Sequence, residues 1–220
     1  LNVEAFAEKF RNDHYFHEIQ YSHTDVEDRR RDKDAIAIPA KLEHYLSFLE
    51  GGLSCGERQL LYQIAKGLPD GSTVLHVGLW RGAGLMLFMA ALADARFIGI
   101  DCFDLPDVSS LSDQPPVDAD EVVAYVKAFM TDRHTLQLIK ANTLELCELP
   151  HADVIFIDGG HTKACIEHDA RMAKAAVNPG GLLIFHDYGQ PKWPDVKRTL
   201  DAEFSPDQIR VHGTLCVIRM

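Results

Sequence analysis

Three short apolar runs decide what this chain can become: VLHVGLWRGAG at 74–84, VIFIDGGH at 154–161 and LLIFHDY at 182–188. Each ends in glycines or in Asp and His. Near-continuous apolar runs are the mark of strands buried on both faces, as in parallel sheets, where ligands gather beyond the carboxyl ends of the strands. The last two runs therefore bring Asp158, His161, His186 and Asp187 to one crevice beside the glycine loop of the first.

The remaining pattern alternates strands with helices. Phe6, Phe10, Tyr15 and Ile19 space a helical stripe over residues 1–20, and the charged run from Glu27 to Asp34 reads as a linker. Pro39 opens a helix striped by Leu42, Tyr45, Leu46 and Leu49 and broken at Gly51-Gly52. Ser54 and Glu57 have capping-box spacing ahead of Leu60, Leu61, Ile64 and Leu68. TVLHV, RFIGID, HTLQLIK, VIFID and LLIFHD are strands, with helices expected through Ala93, over Asp120–Thr131, through Ala176 and over 193–204. Residues 102–120 read as a surface loop and Asn178–Gly181 as a turn. The last segment, QIRVHGTLCVIRM, makes two strands around His212-Gly213. The fold class is thus α/β: a Rossmann-like, doubly wound, mainly parallel seven-stranded sheet closed by a C-terminal antiparallel hairpin. Residues 1–50 form an N-terminal helical arm or cap, and 51–220 the main domain.

Composition narrows the partners. With 220 residues, 46% of them hydrophobic, the chain can bury one full α/β core. Its net charge of −11 argues against a nucleic acid, because Arg29-Arg30-Arg31 is neutralised by its acidic neighbours. No run is long enough to span a membrane. Five scattered cysteines with no C-x-x-C pair fit reduced thiols and a cytoplasmic protein. The chain begins with Leu, which fits a processed, trimmed or excised sequence.

Gly78, Gly82 and Gly84 follow a strand and open a helix, where a glycine backbone turns tightly and approaches a ligand. Asp101 ends the next strand, placed to accept the two hydroxyls of a ribose. A tight βα turn alone also explains the glycines. The stretches GGLSCGERQLLYQIA, VLHVGLWRGAG and FIGIDCFD, followed by IDGGHTKACIEHDARMAKAAVNPGGLLIFHDY, resemble class I S-adenosylmethionine (SAM)-dependent methyltransferases. Within these they resemble the small-molecule and sugar O-methyltransferases related to macrolide-tailoring enzymes. The resemblance implies that the three glycines face the methionine end of SAM, that Asp101 takes the ribose, and that Cys102 and Phe103 lie near the adenine. His76 stands where the family carries an acidic residue near the cofactor's ammonium. Asn142 stands where an acidic residue often meets the adenine amine. Losing a charge-assisted hydrogen bond at either place costs about 1.5–3 kcal/mol.

Asp158 and Asp187 suit a divalent cation, magnesium first, with water and substrate oxygens completing its shell. His186 is a third candidate ligand; its nitrogen would shift the preference toward manganese, iron or zinc, and it could equally orient a substrate hydroxyl. Both aspartates could instead cap the loops that follow them. His161 stands where the resembling enzymes carry a general base; capping or exposure is its other reading. Tyr188 and Trp193 wall the acceptor pocket or pack in the core.

These features predict a SAM-dependent O-methyltransferase for a small hydroxylated acceptor, assisted by a divalent metal. A degenerate SAM-binding domain, a metal-dependent hydrolase and a nicotinamide-dependent oxidoreductase are the alternatives. The N-terminal arm leaves a homo-oligomer open.

Overall fold

The computed structural model describes residues 37–48, 52–103 and 117–220. The expected helix over 1–20, the linker at 27–34, Leu49, Gly51 and most of the 102–120 loop lie outside them.

Helix α1, Ala40–Phe48, follows Pro39 and buries Leu42 and Leu46, one turn apart on the same face. Helix α2, Cys55–Lys66, begins with the capping box that its sequence spells: Ser54 Oγ accepts from the Glu57 amide at 3.3 Å, and the Glu57 carboxylate accepts from the Ser54 amide at 2.8 Å. Strand β1, Ser72–Val77, leads through the glycine loop into α3, Ala83–Ala91. That helix is apolar nearly all round because it is buried nearly all round. There follow β2 (Ala95–Asp101), α4 (Ala119–Lys127), β3 (His134–Lys140), β4 (Ala152–Ile157), α5 (Lys163–Ala176), β5 (Val177–Phe185), α6 (Pro194–Glu203), β6 (Ile209–His212) and β7 (Leu215–Arg219). The fourth helix stops at Lys127 rather than Thr131.

The strands lie in the order β3-β2-β1-β4-β5-β7-β6. The first five pair in parallel, while β7 runs antiparallel to both β5 and β6. This is the doubly wound sheet with a closing hairpin that the sequence predicts. One face, carrying Val74, Phe97, Val154, Phe156 and Ile184, packs on α1 to α4. The other, carrying Leu75, Ile98, Ile155, Leu183 and Ile218, packs on α5 and α6.

One connection departs from expectation. Asn178–Gly181 is not a free turn but an irregular start to β5. Val177 pairs with Ala152, yet the next pair is Leu182 with Val154. Gly180 adopts φ +80°, and the Asn178 amide nitrogen donates to Asp153 Oδ1 at 2.8 Å, tying the bulge to β4. The crossover from β3 to β4 carries only a 3₁₀ turn, Thr143–Glu145.

Candidate active site

The glycine loop is shaped first by the protein around it. Gly78 has φ +80°, and a Cβ there would collide with the Asp158 carbonyl, so the end of β1 lies against the end of β4. Gly82 has the same φ and faces Val122 and Val126 of α4. Gly84 faces inward, where a Cβ would sit 2.7 Å from both the His76 and Phe156 rings. Each glycine is thus required by close packing, whatever else it approaches.

Asp101 latches this loop. Its Oδ2 accepts from the Trp80 amide and its Oδ1 from the Phe103 amide, each at 2.8 Å. Trp80 and Phe103 have φ +46° and +49°, and Asp187 has φ +60°. These three left-handed residues follow β1, β2 and β5. Each costs about 1–3 kcal/mol, a strain that clusters at functional sites. Cys102 lies beside Asp101; burial and that carboxylate push its thiol up to about 11. Asn142 caps the 3₁₀ turn, its Oδ1 accepting from the Leu144 amide at 3.1 Å.

His76 lies under this loop, 1% exposed and stacked on Phe156 with ring centroids 4.5 Å apart. Neither ring nitrogen has a hydrogen-bond partner. Burial outweighs the nearby charges of Asp158 and Asp101 and brings its pKa down to about 4, so the ring is neutral at pH 7.

Against the glycine loop, Asp158, His161 and Asp187 offer ligand atoms within 4.8 Å of one another. His161 Nε2 lies 2.7 Å from Asp187 Oδ2, and the His161 ring stacks on Trp193 with centroids 4.3 Å apart. His161 Nδ1 has no partner in the described chain. Burial alone would raise Asp187; the two histidines beside it instead hold it well below the usual carboxylate range.

His186 stands outside that group. Its Nδ1 lies 3.1 Å from Asp158 Oδ1 and 3.2 Å from Asp187 Oδ2, and its Nε2 lies 3.7 Å from Glu57 Oε2. Burial opposes its charge, but these three carboxylates push it up to about 12. With both ring nitrogens facing these carboxylates, His186 lies beside the Asp158–His161–Asp187 ligand group and holds its acids together.

Glu57 is the residue that the sequence reading missed as part of the site. It is 3% exposed; Oε1 accepts from the Thr214 amide at 2.6 Å and from Thr214 Oγ1 at 2.7 Å, while Oε2 takes the Ser54 amide and faces His186. Burial raises its pKa, but His186 and these donors bring it down to about 2. Its capping-box position was legible; its second task, reaching from α2 to the β6–β7 turn, was not.

The structure therefore gathers Asp158, His161, Asp187 and His186 in one cluster, with His76 beneath the glycine loop. Asp101, Cys102 and Phe103 lie at the end of β2, and Asn142 just beyond β3. The donor set of two carboxylates and an imidazole suits a divalent cation. The unpartnered His76 nitrogens and the latched loop fit a cofactor laid across the strand ends.

Comparison with known proteins agrees with this geometry. The Methyltransferase domain family matches residues 75–188, just over half of the chain. An uncharacterised protein, R132, of Acanthamoeba polyphaga mimivirus is 24% identical over 157 residues, covering 66% of this chain and 68% of its own. An O-methyltransferase from Bacillus cereus, solved with S-adenosylhomocysteine (SAH), superposes with TM-score 0.56 at 13% identity over 100% of both chains. The apo TDP-rhamnose 3′-O-methyltransferase of calicheamicin biosynthesis gives TM-score 0.54 at 12% identity, covering 84% of this chain and 96% of its own. The matched segment runs from the middle of β1 to the residue after Asp187 and contains the glycine loop, Asp101, Asn142 and the Asp/His cluster, and the chain belongs to the methyltransferase-domain family, as a SAM-dependent methyltransferase of the class I fold.

Proposed function

We propose that this protein methylates a hydroxyl group of a small acceptor, using SAM and a divalent cation. The observation that carries the reading is the Asp158–His161–Asp187 cluster, packed beside the glycine loop at the strand ends. Gly78, Gly82, Gly84 and His76 would hold the methionine end of the cofactor, Asp101 the ribose, and Cys102, Phe103 and Asn142 the adenine. When bound, SAM supplies a methyl group on a sulfonium, an electrophile that needs no activation by the protein.

What the chain must add is a place for a proton. Asp187 stays ionised and accepts the His161 Nε2 hydrogen, which leaves the Nδ1 lone pair free. Stacking on Trp193 fixes the plane of the ring. Nδ1 then takes the hydrogen of the acceptor hydroxyl as that oxygen attacks, the arrangement of a base oriented by a carboxylate. With His161 engaged in this way, Asp158 and Asp187 are the residues left to hold a divalent cation, whose charge would favour the ionised acceptor.

Both low-identity structural neighbours described above are O-methyltransferases, one of them named for a TDP-sugar, which supports a small hydroxylated acceptor. All five cysteines are free, as in a reducing compartment such as the cytoplasm. Among the described residues no helix is long and apolar enough to cross a membrane. A second reading, a SAM-binding domain without turnover, is favoured by His76 and Asn142, which put a neutral ring and a neutral amide where the resembling enzymes carry acids.

Isothermal titration with SAH, followed by a SAH-release assay across catechol and sugar-nucleotide acceptors with magnesium or EDTA, tests the proposal. Micromolar SAH binding, lost in Asp101→Ala, and magnesium-stimulated turnover are expected. No SAH binding would overturn it, and binding without turnover on any hydroxylated acceptor would leave the second reading.

A further inference from the structure

One buried acid has no part in the chemistry above. Asp169, in the second turn of α5, is 1% exposed, and neither carboxylate oxygen has a full hydrogen-bond partner in the described structure. It faces two segments at once. A Cβ on Gly159 would lie 3.6 Å from Asp169 Oδ2, and the Thr143 side chain, in the 3₁₀ turn after Asn142, lies beside it and favours its charged form. Burial wins over that neighbour and over His168, and pushes the carboxyl up to about 6.

A buried, unpartnered carboxyl destabilises a fold that an Asn or Leu would fill more cheaply. Its presence needs a use, and its neighbours suggest one. Gly159 belongs to the loop that carries Asp158 and His161, and Thr143 follows Asn142. Those are the loops after β4 and β3: the first carries the residues read as acting at the methyl-transfer end of the cofactor, the second the residue read as meeting its adenine.

We propose that Asp169 is a positioning residue of the cofactor site, a carboxyl that sets the spacing between the Asp158–His161 loop and the Asn142–Thr143 turn. The inference rests on reading the crevice as the SAM site. In the cofactor-free chain the Thr143 side chain lies close enough to favour its charge but makes no full hydrogen bond to it. Cofactor binding that engages both loops would tighten the Thr143 hydroxyl and the loop amides onto it as donors, so part of the binding free energy of the cofactor is realised at a residue that never touches it.

The test uses the full chain with Asp169→Asn and Asp169→Leu, reading SAH affinity by titration calorimetry and the melting temperature with and without SAH. The expected result has two halves. Apo melting temperatures equal or exceed that of the parent, and SAH affinity falls by roughly tenfold, the loss of one hydrogen bond to a charged group. With an acceptor in hand, KM for SAM rises while kcat at saturating SAM is preserved. SAH affinity equal to the parent in both variants overturns the proposal, as does an apo melting temperature that falls with no change in affinity. A parent chain that fails to bind SAH overturns the proposal together with the cofactor reading; a parent that binds and variants that bind equally overturn this inference alone.

Discussion

His161 Nε2 lies 2.7 Å from Asp187 Oδ2, so the imidazole at the start of one loop is oriented by the carboxylate at the end of the neighbouring strand. A carboxylate accepts and cannot donate, so in the neutral ring Nδ1 is the nitrogen with the free lone pair. His161→Ala is expected to lower kcat by roughly 10²–10⁴-fold with SAH affinity unchanged. Asp187→Asn should also lower kcat, and the double variant should be no worse than the more damaged single, because the pair acts as a unit. Steady-state kinetics and SAH calorimetry on the three variants check this.

The same pair separates base from ligand. If the cation sits on the two carboxylates, Mn²⁺ binding followed by electron paramagnetic resonance survives His161→Ala and is lost in Asp158→Asn. Loss in both variants would make His161 a ligand and would move the proton to another group.

Gly78 should resist any side chain. Its φ of +80° and the Asp158 carbonyl leave no room for a Cβ. Gly78→Ala is expected to destabilise by roughly 3 kcal/mol, read from urea unfolding. Gly71, which also has positive φ but nothing within 4 Å of a Cβ, should lose less on the same change.

Glu57 ties stability to acid pH. Its pKa is about 2 in the fold against 4.5 for the free group, so the stability it contributes is present above pH 4.5 and is lost as pH falls through 2. Glu57→Ala removes a partner from a buried ion pair and strands the Thr214 and Ser54 amides, at a cost of about 3–5 kcal/mol. Urea midpoints measured from pH 7 to pH 2 should show a steep acid limb in the parent and a flatter one in the variant.

His76 acts over a higher window. Its pKa is about 4 in the fold and 6.5 outside it, so the unfolded chain binds the extra proton between those values. Stability is therefore lost as pH falls from 6.5 toward 4, by up to about 1.4 kcal/mol per pH unit. His76→Phe, which keeps a ring against Phe156, should remove that slope; an unchanged slope between pH 7 and pH 5 would mean that the ring finds a partner.

The fold was legible because its signals were local. Runs such as VLHV and LLIF can only be buried strands, and Ser54 with Glu57 announces a helix start. The capping-box reading held, yet it hid the second use of Glu57, since the contact with Thr214 spans 157 positions of sequence. His186 shows the same limit. Its position at a strand end suggested a ligand; that its ring also faces three carboxylates, from α2, from the residue after β4 and from its own neighbour Asp187, depends on contacts distant in sequence. Asn178–Gly181 looked like a turn because Pro and Gly usually make one. Here the positive φ of Gly180 and the Asn178–Asp153 hydrogen bond keep it inside the sheet edge as a bulge.

The placement of β7 has a temporal consequence. The strand follows β6 in the chain but lies between β5 and β6, so on the ribosome β6 has no edge to join until β7 has emerged. Thr214, in the turn between them, is also what fastens Glu57, and through it His186. A nascent chain can assemble β1 to β5 and still have its cluster of acids unanchored on one side. Competence is thus acquired late and in one step, when the hairpin docks.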